Sequence, residues 1–164
     1  MKKLFLLLIM AGFAVGAYAQ ATATASASAT VVTPITISKT VDMSFGNVAV
    51  KADAGGTVIL NTSDGTTTTG NVTLPATAGT ITSASFTVNG ESGYTYAITL
   101  PTTVQVSKDA DNMQLSDFTS LPSGTGTLTG GTETVKVGAT LTVAAGQASG
   151  TYSAGSFDVT VNYN

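Results

Sequence analysis

The chain has no cysteine, no histidine, no tryptophan and no arginine, and only 9% of its residues are charged. Without cysteine there are no disulfides, so stability rests on core burial and strand pairing. Without histidine or cysteine there is no Ser-His-Asp or Cys-His nucleophilic machinery. Zinc sites built from those residues are excluded as well. Without arginine no bidentate clamp for phosphate or carboxylate can form, and the sparse lysines leave no nucleic-acid footprint. No GxxxxGK[ST] loop is present. The tryptophan platforms common in carbohydrate-binding modules are missing too.

Carboxylates are the remaining enzymatic route. A glycosidase needs two acids facing each other across a cleft, and Asp109, Asp111 and Asp117 lie close in sequence. The expected reading is a solvated loop. The run Asp109-Ala110-Asp111-Asn112-Met113 departs from a calcium loop, because Met113 stands where an oxygen ligand belongs and no glycine follows. The expectation is a non-enzymatic protein that needs no cofactor and no metal.

The N-terminus reads as an export signal. Lys2 and Lys3 precede an apolar run from Leu4 to Val15, and Ala17-Tyr18-Ala19 supplies small residues at a cleavage site. The run is short for a spanning helix, which needs roughly 20 residues. Cleavage is expected after Ala19, leaving Gln20 first and placing the product in the periplasm, on the cell surface or outside the cell. No later segment reaches spanning length. The remaining chain has four lysines against nine acids, a net charge of −5.

Beyond residue 19 the apolar pattern has period 2, not the period of a helix. Thr57–Asn61 reads as a strand closed by Ser63-Asp64-Gly65. Val72 and Leu74 mark another, ended by Pro75. Ile81–Val88 precedes an Asn89-Gly90 turn. Tyr94, Tyr96, Ile98 and Leu100 alternate up to Pro101, and Val104 and Val106 follow. Leu115 and Phe118 are expected in a looser connection, and the glycines of Ser123–Gly131 in a flexible loop. Val135–Val137 and Leu141–Val143 read as two short runs around Gly138. Tyr152, Phe157, Val159, Val161 and Tyr163 close the chain. Many short strands with frequent turns predict a β-sandwich or barrel.

The segment after the signal is distinctive. Ala21, Ala23, Ala25, Ala27 and Ala29 alternate with Thr22, Thr24, Ser26, Ser28 and Thr30, and Val31 extends the alanine side. A strand of this kind has one small apolar face. It is either a linker or plain first strand, or a strand that pairs with a neighbouring subunit. The division expected is residues 1–19 as signal, 20–33 as extension and 34–164 as the sandwich.

Three stretches resemble a known family. Met43-Ser44-Phe45-Gly46-Asn47-Val48 is similar to its L-S-F-G-x-V signature. Phe86 to Pro101 resembles its central hairpin, and Gly138–Val143 with Gly150–Tyr163 resembles its C-terminal end. The family is the bacterial domain-of-unknown-function 4402 group. The resemblance implies a secreted immunoglobulin-like β-sandwich with no settled activity. The C-terminus also resembles chaperone–usher pilus subunits, with Tyr163 penultimate, Gly150 fourteen residues before Asn164, and Phe157, Val159 and Val161 alternating between them. That second resemblance implies a sandwich completed by the N-terminal strand of the next subunit. This chain lacks the usual pilin disulfide, and its donor face is alanine where bulkier residues are usual.

The expected fold is therefore an all-β, immunoglobulin-like antiparallel sandwich of about seven strands, pilin-like in its ends. The expected function is a structural or adhesive envelope component, fimbria-like. Ala21, Ala23, Ala25, Ala27, Ala29 and Val31 would form the donor strand. Gly150, Phe157, Val159, Val161 and Tyr163 would form the C-terminal strand that accepts it. Partners would be other copies, related subunits or a periplasmic chaperone. The alternative is a stand-alone binding module for glycans or proteins, contacting its ligand through Tyr94, Tyr96 or the Ser123–Gly131 loop.

Overall fold

The computed structural model describes residues 20–154 and 156–164, with Ala154 described in its backbone only. The signal reading of residues 1–19 lies outside them. The chain divides into two compact units, Met1–Val31 and Val32–Asn164. In the first, residues 20–31 form no strand and every side chain is exposed, Val31 at 95%. Val32 and Thr33, assigned to the extension by sequence, belong to the second unit.

The second unit is all-β and antiparallel. In chain order its strands are β1 (Thr36–Val41), β2 (Ser44–Phe45), β3 (Ala49–Val50), β4 (Gly56–Leu60), β5 (Thr66–Gly70), β6 (Val72–Thr73), β7 (Ile81–Thr82) and β8 (Ala84–Asn89). Then follow β9 (Thr95–Thr99), β10 (Val104–Lys108), β11 (Asp111–Leu121), β12 (Thr125–Thr127), β13 (Thr132–Val143), β14 (Ser153–Ala154) and β15 (Thr160–Tyr163). Among the described residues no helix is long and apolar enough to cross a membrane.

The main sheet runs β1-β8-β13-β11-β10-β14, with β4 also on β13 and β5 on β4. A second sheet, β12-β9-β15, faces part of it. Two further pairs, β2 with β7 and β3 with β6, are two residues long each. Inward residues alternate along the strands as the pleat requires. They form two clusters. One holds Phe86 and Val88 of β8, Tyr96 and Ile98 of β9, Val135 and Val137 of β13, Val161 of β15, and Leu128. The other holds Val58 of β4, Val72 of β6, Val106 of β10, Leu115 of β11, and Leu141 and Val143 of β13. The sandwich expected from the period-2 pattern is the fold observed.

Several local expectations are corrected. Leu115 and Phe118 lie on the long strand β11, not in a loose connection. The register of β11 on β13 shifts between Ser116 and Thr119, and Asp117 takes φ 49 there. This bulge reverses the parity of the strand, so Leu115 and Phe118 both pack inward at a spacing of three. The two runs around Gly138 are one strand. β13 pairs with β8 through Thr132–Val137 and with β4 through Ala139–Val143, and Gly138 marks the handover. A Cβ on Gly138 would collide with the Leu60 carbonyl oxygen. The Ser123–Gly131 loop contains β12, paired with β9 and followed by a short 3-10 turn at Thr129–Gly131.

Candidate functional site

The second sheet covers only the first cluster. Above the second cluster lie the short β2–β7 and β3–β6 pairs and irregular chain. Two segments flank this region, residues 33–51 and residues 146–163. They are joined at both ends. Tyr163 Oη donates to the Thr33 carbonyl at 2.7 Å, and Gly146 N donates to the Lys51 carbonyl at 3.0 Å. The two segments therefore run antiparallel. Between them lies a groove of about 570 Å³. One wall is Met43 to Val50 and the other is Gln147 to Tyr152. The floor is Val106, Met113, Leu115 and Leu141, from the inner face of the main sheet. Residues 46–48 and 147–152 lie outside any strand, so both walls present backbone that is not in a ladder.

Local chemistry shapes each wall. Gly46 takes φ 68, and a Cβ there would press on Ile81 at 2.9 Å. Gly150 takes φ 142, a region glycine tolerates, and a Cβ would run into the Lys108 side chain. Tyr152 Oη donates to the Ala148 carbonyl and accepts from Gln147 Nε2, both at 2.9 Å, which folds the loop over the groove end. Phe157 packs at 6.4 Å from Phe86 and 5.4 Å from Phe118, centroid to centroid. Val159 is half-buried against the first cluster, and Val161 is buried opposite Ile98.

Away from the groove, where Thr33 and Tyr163 join the two segments, stands a four-bond clamp. Thr33 donates its N–H at 2.9 Å and its hydroxyl at 2.7 Å to Glu91 Oε2. Glu91 N–H donates to Tyr163 Oη at 2.6 Å, and the Tyr163 hydroxyl donates onward to Thr33. The two bonds from Thr33 hold the Glu91 carboxyl below its ordinary range. Tyr94 closes the clamp, packing edge-on against Tyr163 with centroids 5.7 Å apart.

A family model, Domain of unknown function (DUF4402), matches residues 35–163. The chain belongs to this family. No curated protein and no solved structure matches. Both walls and the floor of the groove fall within the DUF4402 match.

The residues singled out from sequence distribute unevenly over this DUF4402 domain. Gly150 lines the groove, whereas Tyr163 packs against the first cluster and belongs to the clamp with Thr33 and Glu91. Phe157 and Val159 lie outside β15, which begins at Thr160; Phe157 packs against Phe118 and Phe86, and Val159 against the first cluster, off the regular ladder. Tyr94 and Tyr96 do not make a joint platform. Tyr94 precedes β9 and is 46% exposed, whereas Tyr96 is fully buried and donates to Glu133 Oε2 at 2.8 Å. Burial and the Glu133 carboxylate push the Tyr96 phenol well up. Asp109 lies in the turn before β11, Asp111 opens that strand and Asp117 occupies its bulge. Among the described residues no cluster of three or more acids is placed to hold a metal ion. Thr33 and Glu91 have no motif that announces them, although the neighbouring Asn89-Gly90 turn fixes where Glu91 stands.

Proposed function

We propose that this DUF4402 protein is an exported, non-enzymatic envelope component, a fimbria-like structural or adhesive subunit that assembles by β-strand donation. The observation that carries this reading is the groove. Among the described residues only the two-residue strands β2 and β3 border the groove above Val106, Met113, Leu115 and Leu141, and residues 46–48 and 147–152 of its walls lie outside the ladders. A strand added there gains main-chain hydrogen bonds and covers apolar floor. The donor is the N-terminal segment of a neighbour, Ala21, Ala23, Ala25, Ala27, Ala29 and Val31, which is exposed and takes no strand of its own. Gly150 lets one wall turn at φ 142 beside the Lys108 side chain. Phe157, Val159, Val161 and Tyr163 fix the course of the C-terminal segment. Such a contact joins unlike surfaces, so it grows as an open chain. The same groove suits a periplasmic chaperone before assembly. The basic, apolar and small-residue N-terminus supports export to the periplasm or cell surface.

The test is the solution mass of the chain beginning at Gln20, with and without residues 20–31. Ladders that vanish on deletion, with the fold retained, support donation. Ladders that survive the deletion exclude this segment as donor. A monomer in both forms removes the reading.

A further inference from the structure

We propose that the groove selects its occupant by size, accepting the alanine face of residues 21–31 from a second copy and refusing strands with large inward side chains. This rests on the donation reading and specifies its partner. The groove already holds bulk from its own walls and floor: Met43 and Phe45 on one side, Tyr152 on the other, and Met113 and Leu115 beneath. Facing layers of a sandwich stand about 10 Å apart and share that space between their side chains. Where Met43, Phe45 and Tyr152 border that space from the sides and Met113 and Leu115 from beneath, an incoming strand must contribute little, because interiors hold a fixed packing density. Large opposite small is the complementary solution.

The segment fits that requirement in three independent ways. Its even face, Thr22 to Thr30, is hydroxylated throughout, and its odd face, Ala21 to Ala29, is methyl throughout. It has no charged side chain to desolvate. At about 3.3 Å per residue it is long enough to run the full eight-residue wall from Met43 to Val50. With so little apolar area to bury, recognition depends on backbone pairing and on the absence of obstruction.

The experiment places one leucine on each face of the segment in the chain beginning at Gln20. Ala25→Leu puts bulk toward the floor, and Thr24→Leu puts the same bulk on the outer face. Neither residue lies in the packed body, so both variants keep its fold. Association is read by sedimentation over a concentration series. The expected result is a loss on the order of tenfold or more for Ala25→Leu, from overpacking, and a change under about threefold for Thr24→Leu. Equal or tighter association of Ala25→Leu overturns size selection while leaving donation intact. A larger loss for Thr24→Leu than for Ala25→Leu overturns the assignment of the alanine face. A wild-type chain that stays monomeric overturns donation itself, and this inference with it.

Discussion

The hydroxyl of Tyr163 reaches the carbonyl of Thr33 across 130 positions of sequence, at 2.7 Å. The contact joins the last strand, β15, to the chain that leads into β1. Gly146 and Lys51 join the same two segments again, beside the groove.

Replacing Tyr163 with phenylalanine keeps the ring against Tyr94 and removes two hydrogen bonds, one to Thr33 and one from Glu91. The loss is expected to be about 1–2 kcal/mol, since each neutral bond contributes roughly 1 kcal/mol net. Urea unfolding measures it. Amide exchange at Thr33 and Glu91 is expected to accelerate more than exchange in β13, because the change frees a chain end.

Gly138→Ala tests the handover in β13. The new methyl meets the Leu60 carbonyl oxygen, a backbone atom held in the β4 ladder. Either β4 or β13 must shift, and the pairing of β11 moves with it. The expected cost is about 1–3 kcal/mol, against a small gain from reduced freedom of the unfolded chain. A variant as stable as the parent would show that the two halves of β13 can separate without penalty.

How much of this was legible in the sequence depends on parity. Where strands keep period 2, as in β4, β9 and β10, alternating apolar residues locate them. Where a bulge breaks the period, as at Asp117 in β11, the same residues look like a loop. β5 was invisible for another reason. Thr66–Thr69 contain no large apolar residue, and the strand exists through pairing with β4, including a 2.6 Å contact between the Thr57 and Thr69 hydroxyls. The Ala/Thr/Ser alternation of residues 21–30 and Gly150 were readable from sequence, but the groove was not. Its floor comes from β10, β11 and β13, whose juxtaposition depends on long-range pairing. The burial of Tyr96 beside an exposed Tyr94 was equally hidden, since both share one parity and the difference arises where β9 begins.

Stability is expected to fall in acid through two carboxylates. Asp64 accepts from Ser83 N at 2.6 Å and Ser83 Oγ at 2.7 Å, and pairs with Lys136 at 3.2 Å. Those contacts lower its pKa from 3.8 to about 2. Glu91 is lowered from 4.5 by Thr33. Both are depressed in the folded state, so the unfolded chain binds more protons in this window and stability rises with pH. The contribution is complete above pH 4.5. It declines below that, and the Asp64 part disappears as pH falls from 3.8 toward about 2. Melting temperature against pH should show this decline, and Asp64→Asn should flatten its lower part. An unchanged slope in Asp64→Asn would remove Asp64 from the account.

Two leucines distinguish a closed core from an open one. Leu128 is fully buried in the cluster under the second sheet, while Leu115 is 3% exposed and forms floor beneath the groove. Leu128→Ala leaves a cavity enclosed on all sides, and a cost of about 3–5 kcal/mol is expected. Leu115→Ala enlarges a space that already opens outward, so water or neighbouring side chains can fill it. Its cost is expected at about 2–3 kcal/mol in the isolated subunit. Under the strand-donation proposal an incoming strand would seal the groove, and the penalty of Leu115→Ala should then rise toward that of Leu128→Ala. Urea unfolding of the dilute chain, and of the assembled form, compares the two states. Equal penalties in the dilute chain would mean that the groove is already closed in solution.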